Sequence, residues 1–231
     1  MMQMANPDRL VQAQAVIAAL FDDTVAVATT DPHAPQPALL ADEGEHLRNA
    51  VPKRQREFVG GRAAARSAMA RLGLKPVPIP VQSSRAPQWP DGVWGSISHT
   101  NTLCAAAVTK GPFSLGLDIE KDSDLKPQLL STICSEAELV RIAGPDQLRL
   151  AKLIFSAKEA AYKAQFPLTG QVFGFDHMDI LLDLQTRVFT ATFVKAVGIF
   201  GKGDRFCGRF DRVADHLVTG VMTRHGSAKG A

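Results

Sequence analysis

Apolar positions in the first half of the chain follow first a helical and then a strand-like period. Residues 10–21, LVQAQAVIAALF, have the apolar spacing of a helix, and the β-branched run at 24–30 predicts a strand. The helical pattern returns at 42–72, where it ends before a glycine, as helices commonly do. A proline-rich segment in which no helix is expected then precedes two predicted strands, 93–98 and 104–109.

The second half of the chain is richer in strands. A KGP turn leads into the apolar run FSLGLDIE at 113–120, and we place the boundary between two halves, 1–112 and 113–231, at this turn. A helix is expected over 146–165, stopped by Pro167. Four alternating segments then predict a strand-rich C-terminal part: 178–184, 187–194, 205–210 and 216–223.

Composition excludes several classes of protein. A chain of 231 residues, 45% of them hydrophobic, can bury a core. It has no run of about 18 apolar residues, as a membrane span requires, and its N-terminus lacks the pattern of a signal peptide. The scattered Cys104, Cys134 and Cys207 predict buried thiols rather than a disulfide framework or thiolate metal site. We therefore expect a soluble, cytoplasmic protein that does not bind membranes.

An acidic pair ends the strand predicted at 113–120. Because alternate side chains of a strand share a face, Asp118 and Glu120 lie about 7 Å apart on one side, while Ile119 points to the other. The sequence has five acidic pairs with this spacing: 43/45, 118/120, 120/122, 122/124 and 136/138. Only the apolar approach FSLGL distinguishes the 118/120 pair, so a metal site and a solvated strand end both remain open.

A third carboxylate and a lysine lie on the helix LIFSAKEAAYKAQF. Glu159 and Lys163 are four residues apart and share one face, as in an ordinary surface ion pair worth a few tenths of a kcal/mol. If Glu159 instead joins Asp118 and Glu120, the three carboxylates need a cation, because two charges at 4 Å repel by about 4 kcal/mol at a dielectric constant near 20. An all-oxygen ligand set favours Mg²⁺, which keeps positions for substrate phosphates.

Basic residues complement this acidic set. Five of them fall within 14 positions of the second predicted helix: Lys53, Arg54, Arg56, Arg62 and Arg66. They indicate either a solvated helix face or a polyphosphate site. His99, in WGSISHT, and Arg85 are further candidates for phosphate contacts, although a lone histidine is more often structural. A net charge of +3, with a single aromatic residue in the basic stretch, gives no support for nucleic-acid binding.

Four ordered blocks resemble the signature blocks of the 4′-phosphopantetheinyl transferases, in particular those of the larger surfactin-type and enterobactin-synthase-type branch. The blocks are GRAAAR, RAPQWPDGVWGSISHT, LGLDIE and FSAKEAAYKAQFPLT, and they span roughly residues 50–175. Each block alone is weak, but the ordered combination is highly specific. The resemblance implies an α+β fold of two similar subdomains with pseudo-two-fold symmetry, and coenzyme A in the cleft between them.

The resemblance also implies a reaction and a metal site. The reaction is transfer of the phosphopantetheine arm of coenzyme A to a serine of an apo acyl or peptidyl carrier protein, which leaves adenosine 3′,5′-bisphosphate. Asp118, Glu120 and Glu159 match the family's ligands for Mg²⁺, or for Mn²⁺ in its place, with the ion bridging the pyrophosphate. Lys163 matches the lysine beside the reacting phosphates.

Further positions match the family's contacts to coenzyme A. His99 matches the histidine that contacts the phosphates, with Ser98 next to it in the family's Ser/Thr-His step. Arg54 and Arg62 fall where the family has basic residues for the 3′-phosphate, and Arg85 falls near its basic residue before the Ser-His block.

Two positions depart from the family's pattern. Position 119 is Ile where some members carry a further acidic residue, so three protein carboxylates are expected to hold the metal. Val81 occupies a position that is basic in some relatives, which leaves the assignment of Arg85 open.

The family's chemistry assigns roles to these residues. Glu159 is the expected general base for the carrier serine, acting directly or through a water, while Lys163 and His99 stabilise charge that develops on the phosphates. A chain with both halves of the cleft is expected to work as a monomer. A Mg²⁺-dependent nucleotide phosphohydrolase, which needs no carrier, and an RNA-binding protein are the alternatives.

Overall fold

A computed structural model of the chain describes residues 7–47 and 49–224. It divides into two compact units, with the division between Pro112 and Phe113. In each unit a long helix packs on an antiparallel sheet. The expected α+β class with two subdomains is therefore confirmed.

The first unit has a three-stranded antiparallel sheet in the order β1-β3-β2. Its core forms where alanines of the long helix pack on the small and β-branched side chains of the sheet, including Ala65, Ala68, Ala106 and Val108. Small residues on both surfaces let the helix approach the sheet closely. The elements are α1 (Pro7–Ala18), β1 (Val25–Thr30), α2 (Pro52–Arg71), β2 (Val93–His99) and β3 (Cys104–Lys110).

The helical pattern at 42–72 is interrupted, contrary to its interpretation as one helical stretch. A 3₁₀ helix covers Ala41–Leu47, and α2 begins only at Pro52. Val51 is extended, with φ −61° and ψ 150°, because a residue before proline is disfavoured in the helical region. Proline itself is well suited to the first position of a helix, where no N–H donor is needed.

The second unit has a five-stranded antiparallel sheet in the order β4-β8-β7-β6-β5. Its longest helix packs mainly on β4 and β8, and aromatic residues, among them Phe189, Phe193 and Phe206, fill its core. The strands are β4 (Phe113–Lys121), β5 (Met178–Asp183), β6 (Val188–Phe193), β7 (Arg205–Val213) and β8 (His216–Arg224). The helices are α3 (Leu130–Ile133), α4 (Glu136–Arg141) and α5 (Gln147–Thr169).

Helix α5 runs through Pro167, so the prediction that this proline stops it is wrong. The proline lies in the last turn, where it removes a single intrahelical hydrogen bond. The helix ends at Gly170, which adopts the left-handed conformation (φ 66°) and donates its N–H to the Phe166 carbonyl at 2.8 Å.

The cysteines differ in exposure. Cys104 and Cys134 are buried free thiols, whereas Cys207 is exposed, so the prediction of a buried thiol is wrong at that position. Cys207 lies on β7, where buried and exposed positions alternate. Among the described residues, no helix is both long and apolar enough to cross a membrane.

Candidate active site

Strand β4 and helix α5 meet along a series of matched positions, and this contact positions the acidic residues. Alternate β4 residues pair with α5 residues four apart, since two strand residues advance about 6.7 Å and four helical residues about 6 Å. The four pairs, in order along β4, are Ser114 with Ala164, Gly116 with Ala160, Asp118 with Ser156 and Glu120 with Lys152. Each acidic side chain of β4 therefore faces α5.

Gly116 allows the closest approach in this series. A Cβ atom at this position would lie 1.8 Å from the Ala160 carbonyl oxygen, so only glycine fits against the helix backbone. One step earlier, the Ser114 hydroxyl donates to the Ala164 carbonyl at 2.6 Å. The strand and helix are thus in backbone contact directly before Asp118.

Asp118 is buried, with 4% of its surface exposed, and both of its carboxylate oxygens accept hydrogen bonds. Oδ2 accepts from the Ser156 hydroxyl at 2.8 Å, and Oδ1 accepts from Lys163 Nζ at 2.7 Å. The Thr219 hydroxyl, on the adjacent strand β8, lies 2.9 Å from Ser156 Oγ. A buried carboxylate is stable only with such partners.

Glu120 and Glu159 share the environment of Asp118. Burial raises the pKa of Glu120, and the negative charge of Asp118 raises it further against the opposing effect of Lys152. Burial likewise raises the pKa of Glu159, to which Asp118 and Glu120 also contribute, while Lys163 lowers it. The three carboxylates therefore interact, and their mutual repulsion is the kind that a cation relieves.

Two lysines hold the β4 carboxylates. Lys163 donates to Asp118 and also to the Leu117 carbonyl at 3.0 Å, rather than forming the isolated surface pair with Glu159 that its spacing permitted. Lys152 forms a short ion pair with Glu120. Residues 7–47 and 49–224 contain no group of three or more His, Cys, Asp or Glu side chains arranged to hold a metal ion together.

The side chain next to Glu159 anchors α5 in the core. Lys158 is buried, and its ammonium group donates to Glu138 at 2.8 Å and to the carbonyls of Ile133 and Phe175 at 2.8 and 2.9 Å. These acceptors use all three of its donors. The rotation of α5 is fixed in this way, and with it the direction of Glu159.

A cavity of about 490 Å³ in the first unit brings together most of the predicted phosphate contacts. Four of the predicted residues line it: Arg54, Arg62, Arg85 and His99. By the alternation of β2, Ile97 and His99 face this cavity, and Ser98 faces the opposite side, where it is buried. The cavity is of the size expected for a small-molecule ligand.

His99 lies between two charged residues of α2. Its Nε2 is 2.8 Å from an Arg54 guanidinium nitrogen, and its Nδ1 is 3.5 Å from Glu57. Because arginine can only donate, Nε2 accepts the bond and the ring proton is on Nδ1, facing the carboxylate. This arrangement joins a cation, an imidazole and an anion at the wall of the cavity.

Arg62 and Arg66 are both buried, which corrects the interpretation of a solvated helix face. Arg62 donates from Nε to the Ile79 carbonyl at 2.7 Å and lies 4.3 Å from the Phe58 ring centroid, and its burial lowers its pKa to about 10. Arg66 donates to both oxygens of the fully buried Glu43, at 2.9 and 2.8 Å. Arg66 therefore stabilises the fold, and of the two only Arg62 reaches the cavity.

Arg85 reaches the same cavity from a tight loop. An antiparallel bridge between Val81 and Pro87 closes this loop, and Arg85 adopts a positive φ of 69° at its tip. That backbone conformation is costly for residues other than glycine and is typical of functional sites. Val81 and Arg85 both line the cavity, so a basic side chain is available here although position 81 is apolar.

Known proteins resemble the chain over most of its length. Residues 42–109 match the family described as 4′-phosphopantetheinyl transferase N-terminal domain, and residues 114–214 match the 4′-phosphopantetheinyl transferase superfamily. The transferase Svp of Streptomyces mobaraensis is 36% identical over 218 residues, 88% of each chain. This chain belongs to the 4′-phosphopantetheinyl transferase superfamily. It is therefore an enzyme that transfers 4′-phosphopantetheine from coenzyme A to carrier proteins.

Two more relatives of this transferase support the assignment. The 4′-phosphopantetheinyl transferase PptT of Mycobacterium tuberculosis is 34% identical over 82% of this chain and 85% of its own length. Enterobactin synthase component D of Escherichia coli is 33% identical over 62% of this chain and 73% of its own. These matches confirm the resemblance and decide against a phosphohydrolase or an RNA-binding protein.

Sequence analysis of this transferase missed the residues that support the predicted ones. Glu57 faces His99, Ser156 hydrogen-bonds Asp118, and Lys152 pairs with Glu120. Each lies one or more helical turns from a motif residue, and spacing alone does not show which strand position faces it. The signal that was present is the four-residue periodicity of Lys152, Ser156 and Ala160 along α5.

Proposed function

We propose that the basic cavity of the first unit binds the adenosine-phosphate part of coenzyme A. Arg54, Arg62 and Arg85 supply positive charge there, and His99 contacts a phosphate through the ring nitrogen that now accepts from Arg54. Arginine guanidinium groups bind phosphate oxygens through paired N–H donors. Ser98 would support the position of His99 rather than line the cavity.

We propose further that Asp118, Glu120 and Glu159 hold a Mg²⁺ ion, for which Mn²⁺ can substitute. The residues fit such an ion because all three donors are carboxylates, which hard cations prefer, and because their charges raise one another's pKa. When bound, the ion would neutralise the carboxylates and attract the pyrophosphate oxygens. Binding requires the Glu120 side chain to leave Lys152, a change confined to side-chain torsions.

Glu159 is the proposed general base. Burial and neighbouring carboxylates raise its pKa, which makes it a better proton acceptor than an exposed glutamate. The serine hydroxyl of the carrier gives its proton to Glu159 while its oxygen attacks the β-phosphorus of coenzyme A. The bond from that phosphorus to the bridging oxygen breaks, and adenosine 3′,5′-bisphosphate leaves with the bond electrons. Lys163, with His99, stabilises the negative charge on these phosphates.

The proposal depends most on one observation, the β4–α5 contact that places the Asp118, Glu120 and Glu159 charges next to one another. A carrier of the acyl or peptidyl type is the proposed acceptor. We also propose that a single chain is sufficient for activity, since it contains both units. Light scattering during size-exclusion chromatography at assay concentrations tests the last point, and a dimer mass would contradict it.

Intact mass spectrometry of an apo carrier protein, incubated with the enzyme, coenzyme A and Mg²⁺, tests the proposed roles. The wild-type enzyme should add one phosphopantetheine unit. Glu159→Gln and Asp118→Asn should lower the rate at least about 100-fold with an unchanged circular dichroism spectrum, because each removes a charge needed during transfer. His99→Ala should act more mildly, mainly through the KM for coenzyme A. Near-normal turnover in either carboxylate variant would remove that residue from the mechanism.

A further inference from the structure

Lys152 is a second cation at the carboxylate cluster, and none of the four family blocks includes it. Its ammonium group pairs with Oε2 of Glu120, and its side chain is 15% exposed, against 28% for that of Glu120. The ammonium group also lies 5.0 Å from the Phe155 ring centroid, within the range of a cation–π contact. A carboxylate and an aromatic ring thus hold Lys152 in a partly desolvated position.

The position of Lys152 follows from the matched contacts of β4 and α5. Lys152 is one turn before Ser156 on the helix, and Glu120 is two residues after Asp118 on the strand. The lysine therefore faces the outermost carboxylate of the cluster. Its charge opposes the effects of burial and of Asp118, both of which raise the pKa of Glu120.

We propose that Lys152 is a positioning residue that competes with the divalent cation for Glu120. Before metal binds, it neutralises and orders Glu120, and it must release this carboxylate when the cation arrives. Lys152 thereby lowers the affinity of the site for divalent cations. The inference rests on the proposed function, specifically on Glu120 as a metal ligand.

Lys163 is not equivalent to Lys152. Lys163 donates to the backbone carbonyl of Leu117 as well as to Asp118, so it keeps one acceptor if the carboxylate turns toward a cation. It also matches the family's phosphate lysine, whereas Lys152 contacts the cluster through Glu120. The competition is therefore assigned to Lys152.

Arg149 provides a matched control for the charge itself. It lies one turn closer to the start of α5 and pairs with Asp122, two residues beyond Glu120 on the chain. Its side chain is 48% exposed, and Arg212 also pairs with Asp122. Arg149→Gln removes one positive charge from the same end of the helix without freeing a carboxylate of the cluster.

The test is titration of the full-length protein with Mn²⁺, followed by the electron paramagnetic resonance signal of free Mn²⁺ without coenzyme A. Lys152→Met should bind Mn²⁺ about tenfold more tightly than wild type, while Arg149→Gln should change the Kd by less than about twofold, because exposed charges are well screened. Lys152→Arg, which keeps the charge, should not tighten binding. Lys152→Met should also lower the Tm in metal-free buffer, and Mn²⁺ should raise it more than in wild type.

The outcomes separate this inference from the metal site itself. If Glu120→Gln and Asp118→Asn leave Mn²⁺ binding unchanged, the proposed metal site is wrong. If both weaken it but Lys152→Met binds no more tightly than Arg149→Gln, the competition is wrong and the metal site stands. Should Lys152→Met fail to fold, Lys152→Gln gives the same comparison with a polar side chain.

Discussion

At the residue scale, Glu57 has a function that follows from the tautomer of His99. Arg54 donates to Nε2, so the ring proton on Nδ1 faces the Glu57 carboxylate at 3.5 Å. A carboxylate behind an imidazole fixes the orientation of the ring and makes its other nitrogen more basic. When a phosphate takes the Arg54 guanidinium, Nε2 can gain a proton and donate to the phosphate, with Glu57 balancing the charge.

Glu57→Gln should therefore raise the KM for coenzyme A about 3- to 10-fold, the effect of about 1 kcal/mol, and change kcat less. Steady-state kinetics with a saturating carrier protein measures both constants. Lys53→Gln is the control, because Lys53 is exposed and lies 3.7 Å from the same carboxylate. Equal effects of the two substitutions would show that general electrostatics, rather than orientation of His99, is responsible.

Residue by residue, sequence reasoning identified side chains with chemistry but not the partners that hold them. His99, Asp118 and Glu120 stand in recognisable blocks, and three of the four proposed cavity residues do too. Glu57 and Lys152 look like ordinary charges on exposed helix positions. Only the packing of α2 on β2, and of α5 on β4, gives them a partner, and a sequence does not contain this long-range register.

At the scale of elements, Gly116 determines how α5 sits on β4. A Cβ atom there would lie 1.8 Å from the Ala160 oxygen and 2.9 Å from the Ala164 nitrogen, and both are backbone atoms. Helix backbone cannot give way locally, so the whole of α5 would have to move. Such a shift would separate Asp118 from Ser156 and Lys163.

Gly116→Ala should destabilise the protein by about 3 kcal/mol or more and abolish transfer in any fraction that folds. Chemical denaturation measures the first effect and the carrier mass shift the second. Gly201→Ala is the matched control, because the nearest atom to its Cβ would be 3.8 Å away, an ordinary contact. A Gly116→Ala enzyme with wild-type stability would show that α5 does not depend on this contact.

Strands were easier to predict than helix ends. Alternation placed β2, β3 and β4 within one or two residues of their observed bounds, because one buried face fixes a strand. The errors fell at Pro52 and Pro167, where the effect of a proline depends on its place in a helix. A proline begins α2 but is tolerated in the last turn of α5, and periodicity does not distinguish these cases.

At the scale of the whole molecule, buried thiols report separately on the two units. Burial raises the pKa of Cys104, in the first unit, to about 12 and that of Cys134, in the second, to about 11. The thiolate is the reactive form, so both thiols are protected by burial and by their protonation at neutral pH. Cys207 is exposed.

A thiol reagent at pH 8 should therefore label one cysteine rapidly in the native protein and all three after denaturation. Cys207→Ser should remove the rapid phase, and peptide mass spectrometry then gives separate labelling rates for Cys104 and Cys134 as each unit opens. Both folded pKa values lie above the unfolded value of about 9, so the unfolded state loses protons first and stability should fall as the pH rises above 9. Rapid labelling of Cys104 in the native protein would contradict its burial.

The matched positions of β4 and α5 also measure how far apart the two elements are. Backbone touches backbone at Gly116, an aspartate and a serine span the next interval, and a glutamate and a lysine span the last. The strand and helix therefore diverge like the arms of a wedge, closed at Gly116 and open at Glu120. Rearrangement during catalysis is confined to the long side chains at the open end, and the closed end keeps the backbone fixed while they move.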